Sequence, residues 1–298
     1  MILNPYCRWF ISLLLLISGG NSSAYPFPDS TLIVKIRQLT PASTWQQVGS
    51  IPLDFPAHHP QGMVKIGSYF FMSSVEVIDR ANGIGRGYLF KFDQTGKLLT
   101  RIQLGEGAIY HPGGIDFDGQ YIWVPVAEYR PHSKSIVYKV DPTSLKAIEV
   151  FRFDDHIGGI VHNTDTHQLH GVSWGSRTYY DWSLTGKGGV DNPKNAGAIR
   201  NPSYYIDYQD CHYVGNHQML CGGLKSYAQG STLIRLGGLE LVDLRTHQPA
   251  FQLPLPLYAP SGRPMTQNPF WVEATTTGLR VYFVPDDDRA TMFVYEVR

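Results

Sequence analysis

The feature that most constrains this chain is a motif that returns five times. His59-Pro-Gln-Gly-Met63, His111-Pro-Gly-Gly-Ile115, His156-Ile-Gly-Gly-Ile160, Asn201-Pro-Ser-Tyr-Tyr205 and Asn268-Pro-Phe-Trp-Val272 each place a polar side chain ahead of an apolar strand, mostly with a Pro or Gly between. The starts lie 52, 45, 45 and 67 residues apart, the period of a four-stranded propeller blade. Second strands follow at 69–76, 121–128, 169–176, 218–225 and 280–287, and third strands at 88–93, 136–141, 178–182, 239–243 and 292–297. Three of the third strands end in Asp93, Asp141 and Asp243 ahead of turn residues, where a short acceptor side chain holds its own backbone turn.

Fourth strands are expected at 98–104, 147–153, weakly at 190–199, and at 251–257. The fifth unit reaches Arg298 after three strands, and the segment 45–55 has the apolar spacing of the missing one. The expectation is therefore an all-β chain, a five-bladed β-propeller closed by an N-terminal strand, which removes exposed sheet edges. A six-bladed ring is the alternative, because the 67-residue interval has room to spare. Its extra length, at Tyr227-Ala-Gln-Gly-Ser231 and 258–264, reads as loop and favours five.

Composition agrees with many short strands and turns: 30 Gly, 20 Pro, 13% aromatic and only 17% charged residues. Lys+Arg and Asp+Glu tie at 25, so no long-range field recruits nucleic acid or an anionic membrane. Residues 1–24 carry one charge, Arg8, then an apolar run from Trp9 to Ile17 and the small residues Ser22-Ser23-Ala24. This reads as a secretory signal peptide cut after Ala24, and the run is too short for a membrane span. The expected organisation is a signal over 1–24, a lead segment over 25–43 and a single propeller over 44–298, secreted or periplasmic and monomeric. Cys7 leaves with the signal. Cys211 and Cys221 flank a hairpin; if Gly215, Asn216 and His217 form its loop, the two face each other and can bridge in an oxidising compartment.

Blade topology brings the five motif starts and the second-to-third connections to one face, the mouth of the central channel. A ligand site is expected there, lined by His59, Gln61, Trp174, Arg177, Lys225, Asn201 and Asn268. Imidazoles at His59, His111 and His156 offer a divalent metal such as zinc three ligands. Calcium would favour the oxygens of Glu76, Glu128, Asn201, Asn268 and Asp286. In an enzyme, Glu76 or Glu128 would act as base and His111 or His170 as proton shuttle. The alternative is that His or Asn before Pro fixes each strand start, and that charges end strands where solvent begins. Gly-x-Ser-x-Gly and phosphate-binding Gly-x4-Gly-Lys patterns are absent, and Gly83-Ile-Gly-Arg-Gly87 joins two strands, so it is no dinucleotide site.

His59-Pro-Gln-Gly-Met63, His111-Pro-Gly-Gly-Ile-Asp-Phe-Asp-Gly119 and His170-Gly-Val-Ser-Trp-Gly-Ser-Arg177 make the mature chain resemble an uncharacterised family of secreted β-propellers, a domain of unknown function that implies no activity. More distantly, Gln61-Gly-Met63, Phe70-Phe-Met-Ser-Ser74, 91–98 and Gly105-Glu-Gly107 resemble the plant-type glutamine cyclotransferases, five-bladed propellers that cyclise N-terminal glutamine. That resemblance covers about fifty residues and puts Met72 where the family's catalytic acid belongs, with Glu76 four residues on along the same strand face. The lactonase-type propellers, with a calcium at the mouth, are similar in architecture only. Three readings follow: a propeller binding a small molecule or protein at its mouth, a metal-dependent hydrolase or cyclotransferase-like enzyme using the same face, and a structural envelope protein.

Overall fold

Neighbouring residues of a strand point to opposite faces, and here both faces are apolar: Phe70 with Phe71, Leu89 with Phe90 and Met63 with Val64 are all buried. Strands of this kind need a partner layer on each side. In the computed structural model, which describes residues 30–186 and 188–298, they find it in a ring of five antiparallel sheets. The expected signal segment, with Arg8 and Cys7, lies outside the described residues.

Blade 1 runs His59–Ile66, Tyr69–Asp79, Ile84–Asp93, Leu98–Leu104 from the axis outward. Blade 2 has a split inner strand, Ile109–Pro112 and Asp116–Phe117, then Ile122–Glu128, Ser135–Val140 and Ala147–Phe153. Blade 3 is Ile157–Asn163, Gln168–Ser173, Thr178–Ser183 and the two-residue Ile199–Arg200, so the weak stretch from residue 190 is mostly not strand. Blade 4 is Asp207–Gly215, Gln218–Gln229, Thr232–Asp243, Gln248–Leu255. Blade 5 is Phe270–Ala274, Leu279–Phe283, Thr291–Val297 and, outermost, Trp45–Pro52, pairing from Trp45↔Val297 to Pro52↔Thr291. The ring has five blades and is closed by the N-terminal strand.

The 67-residue interval is resolved differently from the expectation. Blade 4 starts at Asp207, not Asn201, whose Pro mimics the motif within a connecting loop. Tyr227-Ala-Gln229 is strand, because the central hairpin of blade 4 stays paired out to Gln229↔Thr232.

A separate apolar layer fills each gap between blades, for example Met63, Phe70, Met72 and Phe90 against Tyr282, Met292 and Val294. Helix α1 (Ser30–Gln38) adds Ile33 and Ile36, with Leu39 beyond its end, to the layer between blades 4 and 5. It lies on the face opposite the mouth, where Arg37 donates to Ala250 O and Gln218 Oε1, each at 3.3 Å. The third-to-fourth turns are held as the sequence suggests: Asp93, Asp141 and Asp243 accept the backbone N–H two residues on, at 2.8 to 2.9 Å.

The inner strands meet at the axis through three buried side chains. Asp210 of blade 4 accepts Met63 N of blade 1 at 2.9 Å and Ile115 N of blade 2 at 3.1 Å. Asp116 of blade 2 accepts His162 N of blade 3 at 3.0 Å and Tyr213 N of blade 4 at 3.2 Å. His212 Nε2 donates to Phe270 O of blade 5 at 2.9 Å. Glycines let the backbones approach this closely: a Cβ on Gly62 would stand 2.4 Å from Ile115 N, and one on Gly113 2.3 Å from Gly158 O.

Cys211 and Cys221 are bonded, 2.03 Å between sulfurs. The hairpin differs in detail from expectation, with a two-residue Asn216-His217 turn and an extra residue at Val214, yet Cys211 still faces Cys221.

Two outcomes follow. Asp210→Ala leaves buried N–H groups of two other blades without an acceptor, so its urea midpoint should correspond to a loss of at least about 3 kcal/mol, with Asp210→Asn in between. Reducing the Cys211–Cys221 bond should cost about 2 to 3 kcal/mol by the same measurement, from the loop entropy restored to the unfolded chain.

Candidate functional site

Four inner strands carry one extra residue just past their start; in blade 2 it is Tyr110, between Ile109 and His111, and in the other three it faces the mouth. The register breaks between Pro60 and Gly62, Ile157 and Gly159, and Tyr208 and Asp210, which makes Gln61, Gly158 and Gln209 bulge residues. A bulge re-aims a side chain out of the alternating pattern. All three residues line a cavity of about 280 Å³ at the mouth, with His59, His111, His156, Tyr129 and Trp174 around them.

The walls are stacked rings. Tyr129 lies against His111, with centroids 4.1 Å apart and planes at 23°. The Arg80 guanidinium sits 4.0 Å from the Tyr129 centroid and 5.9 Å from Trp174, in cation–π range. Trp174 meets the His156 ring edge-on at 4.7 Å.

Each imidazole is held in a different state. His156 Nδ1 is 2.8 Å from Glu128 O. A carbonyl only accepts, so Nδ1 carries the proton and Nε2 keeps a lone pair. Burial pushes the His156 pKa down. His111 is buried, and its Nδ1 has no partner among the described residues. Burial, then the neighbouring His156 and His59, hold it well below the usual histidine range, so it is neutral at pH 7. His59 Nδ1 is 2.8 Å from Asp287 Oδ1. Asp287 also takes Arg263 at 2.7 Å and the Asn268 amide at 3.1 Å. Burial works to raise this carboxyl, but His59 and then Arg263 outweigh it and bring it down to about 2.

The other expected residues sit elsewhere or are already engaged. Arg177 bonds Asp207 at 2.8 Å and the carbonyls of Ser203 and Gly175, and Lys225 reaches the same Asp207 at 3.3 Å. Asn201 is buried, donating to Ser176 O at 2.7 Å, and Asn268 is likewise buried. Glu76 is not on the cavity lining; it accepts from Arg86 at 3.2 Å and Tyr88 at 3.1 Å. Burial works to raise the Glu76 carboxyl, but these two hydrogen bonds outweigh it. Glu128 is paired with Arg130 at 2.5 Å and offers the site only its backbone carbonyl. Met72 is fully buried between blades 5 and 1. His170 is not at the mouth; its Nδ1 is 2.7 Å from Asp181 in mid-blade. Asp286 accepts from Ser261.

His59, His111 and His156 are not drawn into a ligating set. Among the described residues, the group of His, Cys, Asp and Glu whose donor atoms all lie within 4.8 Å of one another is His170, Asp181 and His247.

Sequence reasoning missed Tyr129, Arg80, Asp207 and Gln209. A signal for the last two existed: Asp207-Tyr-Gln-Asp-Cys211 sets Gln209 and Asp210 where His59-Pro-Gln-Gly-Met63 has Gln61 and Gly62.

Residues 25–298 match a family of unknown function, DUF6454. No curated protein matches the chain. Among solved structures, the tail fibre of Staphylococcus aureus phage P68 is similar at 11% identity and a TM-score of 0.51, over 90% of this chain and 56% of that one. Hydrazine synthase of Kuenenia stuttgartiensis aligns at 14% identity and 0.39, over 80% and 59%. The chain thus spans less than two thirds of either. An α-L-arabinanase of Penicillium chrysogenum, complexed with arabinobiose, aligns at 10% identity and 0.47, over 86% and 98%. At such identities the likeness concerns the fold alone.

The Asp287 cluster gives a pH signature. A carboxyl whose folded pKa is about 2, against an ordinary 3.8, contributes stability that is present above about pH 4 and lost as pH falls toward 2. Thermal midpoints of the wild type should fall more steeply over that window than those of Asp287→Asn.

Proposed function

The chain belongs to the DUF6454 family, and we propose that it is a binding propeller that takes one small polar molecule in the cavity at its mouth. The observation that carries this reading is the convergence of the bulged amides of Gln61 and Gln209 with His59, His156 and Trp174 on one half-open cavity. About 280 Å³ is at the lower end of ligand-pocket sizes, which suits a molecule the size of a monosaccharide or an amino acid. Amides, a lone-pair imidazole nitrogen and an aromatic wall hold such a molecule by hydrogen bonds on its polar edge and stacking on its flat or apolar face.

Most charges near the mouth are paired, which supports recognition by hydrogen bonding more than by bulk charge; Arg80 lies on the rings of Tyr129 and Trp174 instead. Arg177 and Lys225 are spent on Asp207, Arg263 on Asp287, Arg130 on Glu128 and Arg86 on Glu76. A hydrolase at the mouth would have to work without Glu76 or Glu128, whose carboxylates are in those pairs. Export is part of the same proposal, supported by the Cys211–Cys221 bond, a linkage reducing compartments disfavour.

A thermal-shift screen of monosaccharides, amino acids and small organic acids tests the reading. The expected result is at least one stabilising compound whose affinity falls about tenfold or more in Trp174→Ala and in Gln209→Ala, both variants remaining folded. A compound that binds both variants as well as the wild type would move the site away from the mouth, and no hit at millimolar concentration would count against small-molecule binding.

A further inference from the structure

Away from the mouth, two blades bring three metal-ligating side chains to one point. His170 comes from the second strand of blade 3, Asp181 from the third strand directly beside it in register, and His247 from the turn between the last two strands of blade 4. That turn is on the face opposite the mouth. His170 Nδ1 is 2.7 Å from Asp181 Oδ1, and His247 Nε2 is 3.0 Å from Oδ2 and 3.1 Å from Oδ1. We infer that His170, Asp181 and His247 form a transition-metal site that clasps blade 3 to blade 4.

The donor set is two imidazole nitrogens and one carboxylate oxygen, a combination that suits a borderline divalent ion, zinc first, and not calcium or magnesium. Ligands about 2.1 Å from an ion and 90° to 109° apart stand roughly 3.0 to 3.4 Å from each other. The two His–Asp separations are within a few tenths of an ångström of that, whereas the two imidazole nitrogens, within 4.8 Å of each other, are the pair that closes on the ion. Both histidines are almost fully buried, 2% and 8% exposed, whereas the Asp181 side chain is 27% exposed. The carboxylate is thus the side from which an ion enters and on which water completes its coordination. Each histidine already turns a ring nitrogen toward Asp181, and it would ligate through that nitrogen with its proton on the other one. The buried Nε2 of His170 has no partner among the described residues whether Nδ1 bonds Asp181 or an ion, so it does not distinguish the two states.

The competing account is a hydrogen-bonded His–Asp–His clasp with no ion, and the experiment separates them. Tag-free protein, stripped with a chelator, is titrated with Zn²⁺ by calorimetry and with Co²⁺ by visible absorption. One equivalent should bind, with a thermal midpoint raised by several degrees at saturation. His247→Ala should weaken binding about a hundredfold, while His111→Ala at the mouth leaves it unchanged. If His247→Ala does not fold, cobalt-shifted proton resonances of the wild type decide, since exactly two imidazoles should carry them, those of His170 and His247. Absence of Zn²⁺ and Co²⁺ binding at about 100 µM, far above the dissociation constants of structural zinc sites, overturns the inference. So does binding that survives His247→Ala, or shifted resonances from other histidines. Binding lost in His111→Ala but kept in His247→Ala would place the ion at the mouth instead.

Discussion

The structure depends on carboxylates buried at the axis. Blades are joined in sequence by short connections, and each packs only on its two neighbours, so apolar contact alone fixes pairs and leaves the ring as a whole free to breathe. Asp116, Asp210 and His212 remove that freedom by tying the inner strands of all five blades to one another. Burial pushes the Asp116 carboxyl up to about 6 and raises Asp210 as well, with the His212 charge and the accepted backbone N–H groups pulling back. Burial works against a charge on His212, but Asp210 and then Asp116 raise its pKa. Placing an imidazole between two carboxylates offsets part of the cost of taking each of these groups out of water.

The cavity at the mouth is a by-product of the same crowding. Strands that approach within reach of a shared carboxylate must have glycine where their backbones touch, as at Gly62, Gly113 and Gly114. They must also shed their regular register to do it. The register is shed at the bulges, and the bulged positions Gln61 and Gln209 then look outward to the mouth. Floor and donors of the cavity therefore come from the residues that close the channel beneath it.

Much of this was legible because it is periodic. The blade repeat, the Asp-held turns, the closing strand at Trp45 and the facing pair Cys211 and Cys221 all follow from spacing. The rest was hidden for identifiable reasons. Asn201-Pro imitates a blade start but its amide is spent on Ser176 O, and the true start, Asp207, lacks the His or Asn and the Pro or Gly by which the motif was recognised. Tyr227 looked like loop because a hairpin projecting beyond the ring has no packing layer and carries no apolar alternation. His170 was assigned to the mouth from its strand, but only the partner turn at His247, 77 residues away, shows which end of the blade it serves. Arg80 and Tyr129 belong to connections, where side-chain direction has no period to read.

The pairing of Trp45–Pro52 with Thr291–Val297 also sets an order of events in time. During synthesis the closing strand emerges early and has nothing to join until the final residues are available, so no intermediate set of blades can be a finished ring. Until then an open arc exposes two unpaired flanks, and its axial carboxylates lack some of their donors. Folding of this chain is therefore a late, all-at-once step for which the nascent polypeptide must be kept from pairing with others. Once the ends have met, separating them exposes both flanks at once, so the completed ring should open slowly.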